Sequence, residues 1–321
     1  MDGADLELFE RSLRHATEEH SGPALDAALE ALGWSDALVL DPRAAISILF
    51  ELQGAANASS SALDQVLLQA LDPGAATSSV VVLPSAGRWG APGQLHGDRV
   101  SVSGLGTAAL AARDSAVVVA ESGDKQVVVV VGTSALTRRP VSGVDPWLGL
   151  VQVTGEAAPE EIGSGDWGAA VALGRLALSH EIVGASRKML DLARQHALER
   201  IQFGTPISTF QAVRHRLADT LVAIETADAM LDAAWLDRSP PTAAMAKALA
   251  GRGARVAARH CQQVLAGIGF TTEHDFHRYF RRTLVLDQLL GDSRSLTKEL
   301  GVELLASRQL PPLLPLDAAS I

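Results

Sequence analysis

The spacing of apolar residues changes twice along the chain and divides it into three parts. From about Leu6 to Leu71 they recur every three to four residues, which is the period of amphipathic helices. Between Ser78 and Thr154, short valine-rich runs alternate with Gly, Pro and Asp, as is typical of strands and turns. After Pro159 the helical period returns. We therefore expect a helical domain, a small β domain and a second helical domain.

The C-terminal part predicts an antiparallel bundle of four helices. The first is expected from Asp166 to Arg200, and the second carries an apolar stripe from Phe210 to Trp235. The pair Pro240–Pro241 must end this second helix, because prolines cannot continue the hydrogen-bond ladder. A third helix over 243–265 and a fourth over roughly 293–307 complete the bundle, whose short connections are typical of antiparallel neighbours.

These patterns predict domain boundaries and exclude several classes of protein. The expected units are an N-terminal helical domain (1–76), a middle β domain (77–158), a helical bundle (159–310) and a tail (311–321). A formal net charge of −10 disfavours nonspecific binding to nucleic acid. Neither a secretory signal at Met1–Asp5 nor an apolar run of roughly 20 residues is present, so we expect no membrane span and a cytoplasmic protein.

Metal and disulfide chemistry are not expected. Cys261 is the only cysteine, so no intrachain disulfide and no cysteine-rich metal site can form. His274 and His277 are three residues apart, but no other ligand supports a zinc site there.

Two segments carry the most specific information. Glu199–Gln211 joins a helix end, a turn and a new helix, and it contains a cation, aromatic rings and amides. Gln263–Glu273 combines a glutamine with a glycine turn. In this order and spacing both segments resemble motifs of the acyl-CoA dehydrogenase family, and the order of the three domains is similar too. The resemblance implies an α+β multidomain fold with a shortened N-terminal helical domain, a middle β domain and a C-terminal four-helix bundle.

The resemblance also implies FAD as the cofactor. The residues that match the family's FAD contacts across a subunit interface are Arg200, Gln202, Phe203, Gln211, Gln263, Gly267 and Gly269. A cation suits the pyrophosphate, flat and amide groups suit the ring and the ribose, and glycines allow close approach of a ligand. Taken singly, each of these residues could instead be a helix cap, a core residue or a helix stop.

The catalytic base of the family is missing. Thioester dehydrogenation needs a carboxylate to take the α-proton. Counting from Phe280–Arg282, the usual glutamate position is Leu290, and the alternative position used by some family members is Gly174. Neither residue can accept a proton, so we assign no catalytic residue. Asp292, Asp287, Glu181 and Glu273 are conceivable substitutes, although proton transfer tolerates little displacement.

The resemblance therefore implies an oxidoreductase subunit without its own base. It is similar to the short, unequal subunits of actinobacterial α2β2 dehydrogenases, flavoproteins of lipid metabolism that act on steroid-CoA thioesters. In this reading a dehydrogenase-like partner subunit supplies the glutamate, the substrate is an acyl-CoA, and an electron-transferring flavoprotein accepts the electrons. One alternative is a self-sufficient homo-oligomer that uses Asp292 or Asp287 as base. Another is a noncatalytic interaction subunit without flavin.

Overall fold

The computed structural model describes residues 3–71 and 79–308. Within them, a helical segment, a β domain and a second helical domain follow one another, so the predicted fold class is confirmed. The expected boundary between residues 76 and 77 and the expected tail 311–321 lie outside the described residues.

The N-terminal helices are short and end at sequence features that break helices. Gly33 has a φ of 70°, which favours glycine, and it separates the second helix from the third. The Asp41 carboxylate accepts a hydrogen bond from the backbone N–H of Ala44, which caps the fourth helix. The helices are α1 (Gly3–Glu19), α2 (Pro23–Ala31), α3 (Trp34–Leu40), α4 (Pro42–Ala56) and α5 (Ala62–Leu71).

The β domain contains one sheet whose strand order is β6-β7-β3-β2-β4-β5-β8, with β1 parallel to β4. Side chains of a strand alternate between its two faces. In β4, Val117 and Val119 therefore join the large core shared with the helices, whereas Val118 and Ala120 join the core on the other face of the sheet. The strands are β1 (Val80–Val81), β2 (Gly93–His96), β3 (Arg99–Gly106), β4 (Ser115–Ser122), β5 (Lys125–Gly132), β6 (Leu136–Pro140), β7 (Val151–Ala157) and β8 (Glu161–Gly163).

The second helical domain begins with a long helix at the predicted position. Its first turn is capped by Asp166, whose carboxylate accepts from Ala169 N at 2.9 Å. Pro240 and Pro241 do separate two helices, and they also form the first turn of the later one, where a missing N–H costs nothing. The elements are α6 (Trp167–Glu199), β9 (Ile201–Gln202), β10 (Thr205–Pro206), α7 (Gln211–Asp237), α8 (Pro240–Leu265), α9 (Phe276–Gln288) and α10 (Ser293–Ser307).

Two expectations for this domain need correction. The helix α9 was not among the four predicted, although it packs on both α6 and α8. The apolar stripe of α7 is buried only in its C-terminal half. Ile224 and Leu231 are each 1% exposed, whereas Phe210 and Leu221 are 37% and 48% exposed.

Buried charged groups join the three parts of the chain. The fully buried guanidinium of Arg282 on α9 donates to Asp145 in the β domain, to Ala58 O in the N-terminal part and to Glu181 on α6. Asp64 on α5 accepts hydrogen bonds from Val81 N and from the Thr107 hydroxyl, both in the β domain. Because each carboxylate or cation is met by partners from another part, these contacts fix the orientation of the parts.

Candidate functional site

The junction of α6 and α7 presents the first motif on an exposed hairpin. Arg200 follows the last turn of α6, and its backbone N–H closes that turn on His196 O at 2.8 Å. Strands β9 and β10 pair and leave Phe203 at the tip, with a φ of 54° and 93% of its side chain exposed. The rings of Phe203 and Phe210 pack in a T-shaped arrangement, with centroids 6.1 Å apart. Gln211 is exposed at the start of α7.

The second motif lies at the end of α8. Gln263 and Gly267 are exposed, and a Cβ added to Gly267 would meet no atom within 4 Å. Gly269 is buried, and an added Cβ would lie 2.9 Å from Leu265 Cβ, so this glycine allows close packing of the turn. Ala266 takes a φ of 53°, which is uncommon for a residue with a Cβ.

Both motifs lie at the same end of the helical domain. Ala197 near the end of α6, Val264 near the end of α8 and Val213 near the start of α7 belong to one apolar cluster. Burial lowers the pKa of His196, and the neighbouring charges of His274 and Arg200 lower it further. The cation, the exposed ring and the amides of the two motifs are therefore displayed on neighbouring segments.

The two positions of the missing base meet inside the protein. A Cβ added to Gly174 on α6 would lie 2.5 Å from Leu290 Cδ1 and 2.9 Å from Leu67 Cδ2. Leu290 is 1% exposed, and Leu63 and Leu67 of α5 are buried beside it. The two positions that the resemblance assigns to the base are therefore neighbours in space. The volume that a carboxylate would need is filled by leucine side chains.

The turn that carries Leu290 is held from several sides. Lys247 is fully buried, and its ammonium donates to Asp287 O at 3.0 Å and Gly291 O at 3.3 Å. Arg175 Nε donates to Leu290 O at 3.0 Å. Burial lowers the pKa of Lys247 to about 8 and that of Arg175 to about 10. Leu290 is thus kept at a φ of 55°, an uncommon conformation for a bulky residue.

An indole ring closes this turn on the side of the β domain. Trp89 lies close enough that a Cβ on Gly291 would be 2.9 Å from Trp89 Cε3. The guanidinium of Arg175 lies 5.7 Å from the centroid of the same ring. Trp167 Nε1 donates to Trp89 O at 3.0 Å and fixes the loop. The roles of Trp89 and Lys247 could not be predicted from local sequence patterns, because their contacts come from distant parts of the chain.

The two aspartates near the turn have structural partners. Asp292 caps α10 by accepting from Arg294 N and Ser295 N. Burial alone would raise the pKa of Asp292, but the hydrogen bonds from Ser295 and Arg294 outweigh it and lower that pKa. Asp287 is buried and accepts from Arg255 and from both the N–H and the hydroxyl of Ser293. Both carboxylates therefore help to hold the turn and the start of α10.

The remaining candidates lie apart from the turn or have other partners. Glu181 is buried in the ion pair with Arg282; burial raises its pKa, and Arg282 opposes this. Glu273 is exposed. His274 and His277 hydrogen-bond to the backbone, and no group of three or more His, Cys, Asp or Glu in residues 3–71 and 79–308 is arranged to hold a metal ion. Among the same residues, no helix has the length and apolar character to cross a bilayer.

Comparisons with known proteins agree with the fold and the motifs. Residues 167–304 match the family described as "Acyl-CoA dehydrogenase, C-terminal domain". The chain is 35% identical over 192 residues to acyl-CoA dehydrogenase IpdE2 of Mycobacterium tuberculosis, and this match covers 57% of the chain and 58% of IpdE2. The match therefore spans little more than half the length of that relative.

Solved structures share the whole fold at low identity. A variant of the Tcur3481-Tcur3483 steroid ACAD has a TM-score of 0.78 at 20% identity and covers 95% of this chain and 99% of its own. The ChsE4-ChsE5 complex from Mycobacterium tuberculosis has a TM-score of 0.75 at 19% identity, with 97% and 99% coverage. Members of the matched family are FAD-dependent oxidoreductases. The matches agree with the motifs: residues 167–304 match the C-terminal domain of the acyl-CoA dehydrogenase family, and the described chain has the acyl-CoA dehydrogenase fold.

Proposed function

We propose that this chain is the noncatalytic subunit of a heteromeric acyl-CoA dehydrogenase. It presents Arg200, Phe203, Gln211 and Gln263 to an FAD molecule held mainly by a related partner subunit. The partner supplies the carboxylate that removes the α-proton of the acyl-CoA. In this chain, the two positions that carry the base in the family are part of the packed apolar core.

The observation that carries this proposal is the contact between Gly174 and Leu290. Both positions that could hold a base are occupied by residues without a titratable group, and an added Cβ at Gly174 would already overlap Leu290. A carboxylate introduced there would also be surrounded by the apolar side chains of Leu63 and Leu67. Such surroundings disfavour the ionised form that a base needs.

The exposed face fits the chemistry of FAD. Arg200 is exposed, and its side chain makes no hydrogen bond or ion pair with another described residue, so its guanidinium is available for a pyrophosphate. Phe203 offers a ring that is 93% exposed and contacts Phe210 of its own chain. Gln202 and Gln211 add amides at the hairpin, and Gln263 and the open backbone at Gly267 extend the surface. FAD, when bound, supplies the acceptor for the substrate hydride.

The relatives support a two-subunit assembly. Both structural neighbours described above are named as pairs of different proteins, and one is named a steroid ACAD. A steroid-derived CoA thioester is therefore the first substrate class to test with the assembled enzyme. An electron-transferring flavoprotein is the acceptor that the family resemblance suggests.

The test is flavin retention with and without the partner. The chain is co-expressed with a dehydrogenase-like protein encoded beside it, and FAD per complex is measured after dialysis. We expect a flavin-containing heteromer in which Arg200→Ala weakens FAD retention about tenfold to a hundredfold, the scale of a hydrogen bond to a charged group. Arg194→Ala removes another exposed α6 arginine and should leave retention unchanged.

Two outcomes would contradict the proposal. Equal FAD retention by the Arg200→Ala and Arg194→Ala complexes would remove the proposed flavin contact. Turnover of acyl-CoA by this chain alone, lost on Asp292→Asn or Asp287→Asn, would instead favour the self-sufficient homo-oligomer.

A further inference from the structure

A small cavity lies where the three parts of the chain meet, at the start of α9. Its volume is about 160 Å³. Clefts that bind drug-sized ligands measure roughly 300 to 1,000 Å³, so this cavity suits a smaller molecule. The turn that carries Leu290 follows the other end of α9, so the cavity is separate from the candidate base site. Its lining consists of Asn57 after α4, Asp145 and Trp147 in the loop between β6 and β7, and His277, Arg278 and Arg281 of α9.

One amide oxygen of this lining lacks a hydrogen-bond donor. Asn57 is only 8% exposed, and its Oδ1 atom accepts no hydrogen bond from any residue that the structure describes. The backbone N–H of Asn57 closes the end of α4 on Gln53 O and Gly54 O, which holds the residue in place. Buried polar atoms without a partner are costly and rare, so a donor from a molecule in the cavity would stabilise this oxygen.

Two arginines and a histidine of α9 favour an anion in the cavity. Arg281 is partly exposed and forms no hydrogen bond or ion pair with another residue among those described. Arg278 has an exposed partner, Asp275, at 3.5 Å. His277 Nδ1 lies 2.9 Å from His274 O, so Nδ1 carries the hydrogen and Nε2 remains available. The two guanidiniums can therefore bind a carboxylate.

The acidic groups behind the cavity are largely neutralised. Arg282 donates to Asp145 of the lining and to Glu181, and all three side chains are buried. Burial raises the pKa of Glu181, although Arg282 opposes this. The buried group thus has at most one excess negative charge, against the two cations Arg278 and Arg281 on the lining.

An exposed indole ring indicates an organic ligand. Trp147 contributes to the lining and is 70% exposed. Its backbone carbonyl accepts from the Ser59 hydroxyl at 3.4 Å, which joins this loop to the N-terminal part. Burial of apolar surface against the ring favours a ligand that has an apolar part beside its charge.

From this arrangement we infer that the cavity at the start of α9 binds a small 2-hydroxy carboxylate. The carboxylate lies on Arg278 and Arg281. The hydroxyl donates to Asn57 Oδ1, and the apolar substituent contacts Trp147. An ammonium group in place of the hydroxyl is disfavoured, because the two arginines repel it. The inference goes beyond the proposed function and does not depend on it, since the cavity contains neither a proposed flavin contact nor a base position.

The test compares three probes that share one carbon skeleton. L-Lactate, propionate and L-alanine differ in the group beside the carboxylate, which is a hydroxyl, a hydrogen or an ammonium. Their binding to the full-length chain is measured by saturation-transfer NMR titrations that follow the methyl signals. We expect saturable binding of lactate, about fivefold tighter than that of propionate, which is the scale of one neutral hydrogen bond. Alanine should bind more weakly than lactate.

Two variants test the protein side of the contacts. Arg281→Gln removes a cation that has no partner in the described chain, so it should fold normally and weaken lactate binding about tenfold. Asn57→Gly removes the amide but suits the φ of 54° at the end of α4, and it should make lactate and propionate bind equally. Arg11→Gln removes an exposed arginine of α1 as a matched control and should leave binding unchanged.

Four outcomes would overturn the inference. They are absence of saturable lactate binding, equal binding of lactate and propionate by the native chain, alanine binding as tightly as lactate, and an unchanged preference for lactate in Asn57→Gly. The titration is repeated with the co-expressed complex, where loss of lactate binding would make the cavity a contact surface for the partner instead. The Arg200→Ala complex tests the proposed function separately, because it measures flavin retention and leaves this cavity intact.

Discussion

The contact between Gly174 and Leu290 predicts a strong energetic coupling. Carbon atoms attract each other best at about 3.5 to 4.0 Å. A Cβ at position 174 would lie 2.5 Å from Leu290 Cδ1, so Gly174→Ala forces the leucine or the helix to move. Overpacking of this kind costs about 1 to 3 kcal/mol, and replacing a mid-helix glycine returns up to about 1 kcal/mol.

Shortening Leu290 should reverse the effect of the added methyl group. Leu290→Ala alone removes a buried side chain and should destabilise the fold by about 2 to 5 kcal/mol. In the double variant the overlap with Leu290 disappears, and the new methyl group fills part of the cavity. We therefore expect the double variant to be about 1 to 3 kcal/mol more stable than the sum of the single changes. The contact with Leu67 at 2.9 Å remains and keeps the coupling below its maximum.

The assay is equilibrium unfolding of the four proteins by denaturant, followed by circular dichroism. The coupling is read from free energies of unfolding only where the four slopes against denaturant agree, because a changed slope signals a changed unfolding reaction. Additivity of the two changes to within about 0.5 kcal/mol would show that positions 174 and 290 do not touch. It would then remove the argument that the base site is filled.

Two further predictions concern the joints between the parts of the chain. Burial raises the pKa of Asp64 from 3.8 to about 7, so the folded protein holds this proton while the unfolded chain has lost it. The stability that the protonated Asp64 side chain contributes is fully present below about pH 4. Up to about 4 kcal/mol of it is lost as the pH rises through about 7. Asp64→Asn should therefore gain stability relative to the native chain between pH 4 and 8 in melting experiments, and a constant difference over that range would contradict this. Arg282→Met leaves Glu181 and Asp145 buried without their cation and should lower the free energy of unfolding by about 3 to 5 kcal/mol. The control is the neighbouring Arg281→Met. If Arg282→Met lowers the free energy of unfolding no more than this control does, the ion pairs of Arg282 do not hold the parts of the chain together.

Much of the architecture can be read from local sequence signals. The ends of α6 follow from the capping residue Asp166 and from the turn after Arg200, and the valine runs alternate between two cores as strands do. The helix α9 was not predicted, because Phe276–Gln288 carries charged residues among the apolar residues of its buried face. Neighbouring residues alone therefore determine α6 and the valine-rich strands more strongly than they determine α9.

What covers an apolar face depends on contacts between distant segments. Periodicity along α7 predicted one apolar stripe, but only its C-terminal half is fully buried; Val213 packs at the edge of a smaller cluster, and Leu221 stays exposed. The contact between positions 174 and 290 is invisible for the same reason, since each lies in an unremarkable local pattern. The resemblance assigned the base to these two positions, but only the packed structure shows that leucine side chains fill the space between them.

The interior and the exterior of this chain differ in a way that supports a shared site. At the base position, apolar side chains fill the available space, and Lys247 and Arg175 hold the turn, so packing alone accounts for the residues present. On the exposed hairpin, Phe203 combines a left-handed backbone with 93% exposure, and both features reduce the stability of an isolated chain. Strain and exposed aromatic surface persist where binding offsets their cost. The same hairpin carries Arg200 and leads to Gln211, so the cost falls on the segment that we propose contacts the flavin of a partner.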